Sequence, residues 1–196
     1  MGAFLLYRKL LLTLKTDVLK CLEQIKRKGP SQIRSYFGGN EMKVLEKNGQ
    51  VIEGNFDNKE VKEAFWHTSA HVLAQAVKRL YPDTKCAIGP AIDNGFYYDF
   101  DFSFPFTEEN LAAIEKEMKK IVKQSLPLEV FEVKKEEALS YMKERQEDYK
   151  VEMIEELPED ETITFYKQGD YEEFCAGPHV SNTCVIKAIK LLSTAG

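Results

Sequence analysis

One amphipathic helix constrains the fold of this chain more than any other feature of its sequence. Asp57 and Asn58 are residue types that cap helix N-termini, and Tyr81-Pro82 stops a helix. Between them, apolar or small side chains recur at three- and four-residue steps, at Val61, Phe65, Ser69, Val72, Ala76 and Leu80. The sequence therefore predicts a helix from about residue 58 to Leu80 that buries one face in a core.

Short strand patterns and further helices surround this helix. Asn48-Gly49 between two short apolar runs predicts a hairpin over residues 42–53. Further strands are predicted at 86–89, 95–102, 128–133, 162–167, 171–175 and 185–192, and further helices at 4–28, from Thr107 and at 135–143. Because the strands are mostly connected as hairpins, the predicted fold class is α+β, an antiparallel sheet with packed helices, preceded by an N-terminal helix and a hairpin.

The charge is unevenly distributed along the chain. Residues 1–40 hold eight basic and two acidic residues, a net charge of +6, whereas the remaining 156 hold 19 and 30, a net charge of −11. A basic head on an acidic body suggests two parts with different roles. Together with the predicted hairpin, we expect a basic amphipathic helical extension and linker (1–40), a hairpin (41–57) and a larger domain (58–196). The acidic part has no overall attraction for nucleic acid, so an RNA contact there must be local.

Several protein classes are excluded by composition. Cys21, Cys86, Cys175 and Cys184 are scattered without a CxxC pair, which argues against a disulfide framework and for a reducing compartment. No apolar run reaches the roughly 18–20 residues that span a bilayer, so no membrane partner is expected. The expected location is the cytoplasm, although the basic amphipathic N-terminus also leaves a mitochondrial presequence open.

All three histidines fall into two short motifs. His67 and His71 lie four residues apart on the predicted helix, a spacing that places both imidazoles on one face. His179 ends the segment Cys175-Ala-Gly-Pro-His179, in which Gly-Pro predicts a turn that brings a thiol and an imidazole together. These spacings predict one shared site.

The residue types alone leave the chemistry of this site open. Two or three imidazoles and a sulfur form a plausible tetrahedral zinc set. A zincin-type protease is excluded because Thr68 follows His67, where that class has its general-base glutamate. Without a metal, the same groups would bind and orient a water beside an ester. Cys175 is also open as a nucleophile or as a buried structural thiol.

Four longer motifs resemble the editing domain of bacterial threonyl-tRNA synthetases. They are FWHTSAHVLAQAVKRL from Phe65, AIGPAIDNGFYYD from Ala87, CAGPH from Cys175 and IKLLSTAG from Ile189. They occur in the family's order and separations over about residues 58–196. The histidine and cysteine motifs are shared, more distantly, with alanyl-tRNA editing proteins, but the second and fourth motifs favour the threonyl branch.

This resemblance implies hydrolysis of seryl-tRNA(Thr), with the serine-carrying acceptor end of tRNA(Thr) as partner. The error arises because a missing methyl group gives a synthetase only ~1–3 kcal/mol of discrimination. The family implies no required cofactor, so no metal is assigned, and zinc remains a less favoured possibility. The aminoacylation core is missing from the chain, so we expect no charging of tRNA without the rest of a synthetase.

The resemblance also implies roles for individual residues. The implied site core consists of His67, His71, Cys175 and His179, which would also be the ligands if zinc binds. Lys150 is implied to position or activate the hydrolytic water, and Tyr97 and Tyr98 fall where the family has pocket residues. We expect one of these two tyrosines to be a core aromatic instead.

The sequence departs from the family's pattern at two places. Glu173 stands where the family has aspartate facing the serine amino group, and its extra methylene leaves open a non-catalytic tRNA- or partner-binding relic. The family's N-terminal ubiquitin-like domain is not recognisable, and the hairpin at 41–57 is its possible remnant. A zinc-dependent trans-editing hydrolase of the alanyl type is the other alternative.

Overall fold

The computed structural model describes residues 12–16, 41–93 and 95–195. Within these ranges, four helices, α1 to α4, span Lys59–Leu80, Glu108–Lys123, Lys135–Glu144 and Asp148–Glu155, and a 3-10 turn spans Thr183–Val185. The described residues also form eleven strands, β1 to β11, which span Leu12–Thr16, Met42–Leu45, Val51–Gly54, Lys85–Cys86, Ala91–Ile92, Gly95–Asp101, Leu128–Val133, Ile163–Gln168, Tyr171–Phe174, His179–Val180 and Leu191–Ala195. Helices packed on antiparallel strands confirm the predicted α+β class.

The described strands form three antiparallel sheets. One sheet has the order β11-β1-β6-β4, with β5 also paired to β6. The second has the order β10-β2-β3, and the third has the order β7-β8-β9. The sheet built around β6 and the sheet that contains β10 both lie against α1, so α1 is the element that connects them.

Helix α1 begins and extends as its sequence predicts. The Asn58 side chain accepts hydrogen bonds from the backbone N–H groups of Glu60 and Val61, at 2.9 and 3.3 Å. From Val61 to Val77 most side chains are buried, in contact with apolar residues of α2 and β6. Leu80 is the exception in the predicted stripe, because 37% of its surface is exposed at the end of the helix.

The helix predicted over residues 4–28 is wrong where the structure describes that range. Leu12–Thr16 forms the strand β1, which pairs on one side with β6 and on the other with β11. The segment LTLKT alternates apolar and polar residues with the period of a strand inside a longer helical pattern. Pairing with two strands that are distant in sequence outweighs this local helical preference. The other residues of the predicted helix lie outside the described residues.

Two smaller predictions also need correction. The strand predicted over 185–192 is a 3-10 turn at Thr183–Val185 followed, after an irregular stretch, by β11. The strand predicted over 86–89 is limited to Lys85–Cys86. In addition, α4 follows α3 where no helix was predicted, and it carries Lys150.

The predicted hairpin is confirmed as β2 and β3, and it packs into the body of the protein. Strand β2 pairs with β10, with Leu45 opposite His179 and Val44 opposite Val180. Val44 lies in the same core cluster as the apolar residues of α1. The division of the chain at residues 40 and 57 stays a prediction. Over the described ranges, no helix is both long and apolar enough to cross a membrane.

We expect Asn58→Ala to lower the free energy of unfolding by about 1 kcal/mol, because two backbone N–H groups of α1 lose their acceptor. Urea unfolding monitored by circular dichroism measures this change. Asn58→Asp, which keeps a capping oxygen, is the matched control and should unfold close to wild type. Equal midpoints for the alanine variant and wild type would contradict this account of the helix start.

Candidate active site

A cavity of about 650 Å³ lies between the first half of α1, the β4–β6 region and the segment after β9. His67 and His71 of α1 line it, as do Tyr98, Lys150, Glu173 and Cys175, which come from β6, α4, β9 and the loop after β9. His179 is completely buried behind this wall. The structure therefore brings seven of the eight residues singled out in the sequence to one place.

The histidines and the cysteine form a tight cluster. Cys175 Sγ lies 3.2 Å from His67 Nε2 and 3.3 Å from His179 Nε2, and it accepts a hydrogen bond from the Gly177 backbone N–H at 3.3 Å. The ring centroids of His67 and His71 lie 4.3 and 4.1 Å from that of His179. The two sequence motifs thus meet around one sulfur atom.

The turn between Cys175 and His179 depends on a glycine. Gly177 has φ +65°, in the left-handed region, and a Cβ atom there would lie 2.1 Å from the Tyr166 hydroxyl oxygen. A larger residue would be both strained and in collision with a completely buried tyrosine. Gly177 therefore allows the chain to return His179 to the sulfur.

A buried ion pair stands beside this cluster. Lys150 Nζ donates to Glu173 Oε1 at 2.7 Å, and both side chains are almost entirely buried. The Tyr98 hydroxyl donates to the same oxygen, and the Tyr171 hydroxyl donates to Glu173 Oε2 at 2.9 Å. His71 Nε2 lies 3.4 Å from Oε2. The carboxylate thus has partners on three other elements and within its own strand.

These contacts hold the ion pair in its charged form. Burial raises the pKa of Glu173, but the Lys150 charge and the hydrogen bonds outweigh it and the net shift is downward. Burial lowers the pKa of Lys150, and the Glu173 charge and hydrogen bond outweigh it, so the net shift is upward. The acid and the base stabilise each other's ionised state.

The histidine and cysteine cluster is neutral by contrast. Burial lowers the pKa of His67, and it lowers those of His71 and His179 well below the usual value. Burial, followed by the Glu173 charge, raises the pKa of Cys175 to about 12. At neutral pH the imidazoles are therefore proton acceptors and the thiol keeps its proton, which argues against Cys175 as a nucleophile.

Tyr97 and Tyr98 lie on opposite faces of β6, as neighbouring residues in a strand must. Tyr98 lines the cavity, and its ring lies so close to Gly89 that a Cβ there would be 2.1 Å from the Tyr98 ring. Tyr97 is half-buried and is not among the described residues that line the cavity. Of the two tyrosines predicted as pocket residues, Tyr98 therefore lies in the cavity wall and Tyr97 lies outside it.

The sequence analysis did not identify two residues that contribute to the candidate site, Tyr171 and Trp66. Tyr171 was assigned only to a strand, yet its position two residues before Glu173 places both on one face of β9 and is a usable signal. Trp66 lines the cavity next to His67, and nothing in its local sequence indicates this.

The cluster can be tested for its fit to a metal ion. One nitrogen or sulfur atom from each of His67, His71, Cys175 and His179 lies within 4.8 Å of the others. His71 Nδ1 is buried and has no hydrogen-bond partner among the described residues, as expected of a lone pair kept for a ligand. The donor set of three imidazoles and a thiol fits zinc.

We expect Lys150→Met to lower the free energy of unfolding by about 3–5 kcal/mol, because it leaves the Glu173 carboxylate buried without its cation. Lys43→Met is the matched control, since the Lys43–Glu53 pair has side chains more than half exposed and contributes only about 0–1 kcal/mol. Urea unfolding of both variants measures the difference. Similar losses in the two variants would contradict a structural role for the buried pair.

Comparisons with known proteins agree with the resemblance seen in the sequence. Residues 163–196 match the family model described as the threonyl and alanyl tRNA synthetase second additional domain. The chain is 59% identical over 152 residues to a threonine–tRNA ligase of Caldanaerobacter subterraneus subsp. tengcongensis and 63% identical over 155 residues to one of Clostridium tetani. A third, from Acetivibrio thermocellus, is 60% identical over 141 residues.

These matches cover 78%, 79% and 72% of the chain but only 24%, 24% and 22% of the relatives. The chain thus spans about a quarter of the length of the threonine–tRNA ligases that it matches. Its C-terminal part is similar to the second additional domain of threonyl and alanyl tRNA synthetases, and the chain is similar to bacterial threonine–tRNA ligases over that quarter of their length.

Proposed function

We propose that this cavity hydrolyses the ester bond of seryl-tRNA(Thr). The observation that carries the proposal is the convergence of neutral imidazoles and a charged lysine–carboxylate pair on one cavity. Ester hydrolysis needs a proton acceptor for water and positive charge near the developing oxyanion. The similarity to threonine–tRNA ligases supplies the substrate class.

The cavity has a charged side, formed by Lys150 and Glu173, and a neutral side, formed by two histidines and Cys175. This division suggests how the substrate is bound. The serine ammonium group would lie against Glu173, whose negative charge is maintained by Lys150, Tyr98 and Tyr171. The ester carbonyl would then lie near His67 and His71, the two histidines that line the cavity. His179 is completely buried and acts only through its neighbours.

The reaction then needs one proton acceptor. A neutral imidazole of His67 or His71 takes a proton from water as the water oxygen bonds to the ester carbon. The carbonyl electron pair moves to the oxygen, and the Lys150 charge favours this oxyanion. When the oxyanion re-forms the carbonyl, the bond to the ribose oxygen breaks and that oxygen takes the proton from the imidazolium. Serine and tRNA(Thr) leave, and the side chains return to their starting state.

Glu173 bears on the alternative of a non-catalytic relic. Its extra methylene, compared with the family's aspartate, does not leave the carboxylate without partners, because Lys150, Tyr98 and Tyr171 all donate to it. Its Oε2 also remains 3.4 Å from His71. This complete set of contacts supports an active site over a relic.

Zinc dependence is the second candidate, favoured by the converging donor atoms and the unpartnered His71 Nδ1. If zinc binds, His67, His71, Cys175 and His179 would hold it, and it would lower the pKa of a bound water. We nevertheless propose that hydrolysis requires no metal. The support is the closer resemblance of the sequence motifs to the threonyl branch of editing domains, because the geometry of the donor atoms suits either mechanism.

The partners and location follow from the same proposal. The acceptor end of tRNA(Thr) carrying serine is the partner, together with the remainder of a synthetase, and the protein acts in the cytoplasm. The relatives named above are bacterial, so they give no support to the mitochondrial alternative.

We expect the purified protein to deacylate Ser-tRNA(Thr) and to spare Thr-tRNA(Thr). His71→Ala should lower the rate by roughly 10²-fold or more, the scale of a lost acid–base or positioning group. Gln50→Ala, on the exposed hairpin turn, is the control and should match wild type. If Ser-tRNA(Thr) decays at the buffer rate with wild-type protein, the relic alternative is correct.

Metal removal separates the two hydrolytic mechanisms. We expect EDTA treatment followed by desalting to leave the deacylation rate unchanged. The zinc alternative requires about one zinc per chain in the untreated protein, measured by atomic absorption, and loss of activity on its removal. Recovery of that activity on adding zinc back would complete the case against the metal-free mechanism.

A further inference from the structure

The hydroxyl group of Thr68 occupies a buried position between α1 and β10. Its oxygen lies 2.8 Å from the Ala64 carbonyl oxygen and 3.1 Å from His179 Nδ1. It also accepts a hydrogen bond from the Val180 backbone N–H at 3.0 Å. Thr68 does not line the cavity, so its contact with the site runs through His179.

The number of available hydrogens determines the direction of these bonds. A threonine hydroxyl has one hydrogen and two lone pairs. Two oxygens 2.8 Å apart are at the usual O–H···O distance, and a carbonyl oxygen carries no hydrogen, so the Thr68 hydrogen points to Ala64. One lone pair accepts from Val180. The remaining lone pair faces His179 Nδ1, which must therefore be the donor.

We propose that Thr68 is a positioning residue that holds neutral His179 in the tautomer with its hydrogen on Nδ1. His179 Nε2 then carries a lone pair directed at Cys175 Sγ, 3.3 Å away. The thiol has a single hydrogen, and His179 Nε2 is then an acceptor for it in addition to His67 Nε2, which lies 3.2 Å from the sulfur and belongs to a residue that lines the cavity. The consequence for hydrolysis rests on the proposed function, whereas the tautomer itself does not.

The opposite tautomer is less favourable for a definite reason. If His179 carried its hydrogen on Nε2, its Nδ1 lone pair would need the Thr68 hydrogen. The Ala64 and Thr68 oxygens would then face each other at 2.8 Å without a hydrogen between them. Because the site is fully buried, no bulk water relieves that repulsion.

A tautomer can be measured directly, independently of protein stability. We would label the histidines with ¹⁵N and record long-range ¹H–¹⁵N correlations on metal-free protein in EDTA at pH 8. The chain has only three histidines, and the variants His67→Gln and His71→Gln assign the spectrum. We expect a protonated Nδ1 and an unprotonated Nε2 for His179 in wild type and in Thr68→Ser, which keeps the hydroxyl.

Thr68→Val keeps the shape but removes the hydroxyl, so we expect the His179 signals to shift to the other tautomer or to a mixture. Ser69→Ala is the matched control. Ser69 is the next buried residue, and its hydroxyl donates in the same way to the carbonyl four residues earlier. Among the described residues, that hydroxyl makes no hydrogen bond to a histidine. Its His179 signals should match wild type.

Two results would overturn the proposal: a hydrogen on Nε2 of His179 in wild type, or an unchanged tautomer in folded Thr68→Val. If the valine variant does not fold, the wild-type spectrum still decides. With deacylation as a second measurement, we expect Thr68→Ser to keep the rate and Thr68→Val to lower kcat about tenfold, the scale of a small positioning error. If wild type deacylates nothing, the proposed function fails while the tautomer result stands.

Discussion

The buried pair of Lys150 and Glu173 is the interaction on which the rest of the site depends. It joins α4 to β9 in a place where an unpaired charge would be costly to bury. The carboxylate also contacts Tyr98 from β6, Tyr171 from β9 and His71 from α1. Elements that are distant in sequence therefore meet at one charged group, and the pair can form only when they are packed together.

Helix α1 carries polar groups through a buried environment, and most of them have a partner, although Trp66 Nε1 and His71 Nδ1 have none among the described residues. Thr68 and Ser69 return their hydroxyl hydrogens to carbonyl groups one turn earlier, at 2.8 Å in both cases. Gln75 donates to the Gln168 carbonyl and to Asp170. A helix buried over most of its length can thus present His67 and His71 to a cavity while the side chains of Thr68, Ser69 and Gln75 remain hydrogen-bonded.

The sequence predicted local features and the meeting of the histidine motifs, but not the contacts that depend on distant elements. The Asn58 cap, the hairpin turn at Asn48-Gly49 and the HxxxH face follow from neighbouring residues. Lys150 would be a surface lysine on local grounds alone, and only resemblance selected it. Its burial depends on Glu173, 23 residues later. The strand β1 was missed for the same reason, because β6 and β11 are its partners.

The division of the cavity into charged and neutral groups follows from how each group is paired, since both kinds are deeply buried. Lys150 and Glu173 offset the burial of their charges with each other and with two tyrosine hydroxyls. Among the residues that the structure describes, His67 and Cys175 have no such counter-charge at hydrogen-bond distance and His71 has only Glu173 at 3.4 Å, so burial keeps all three neutral. In a neutral cluster, no charge determines which ring nitrogen of each histidine carries its hydrogen. Its proton directions must therefore come from outer neighbours such as Thr68, which lie away from the cavity and still determine which atoms can accept a proton within it.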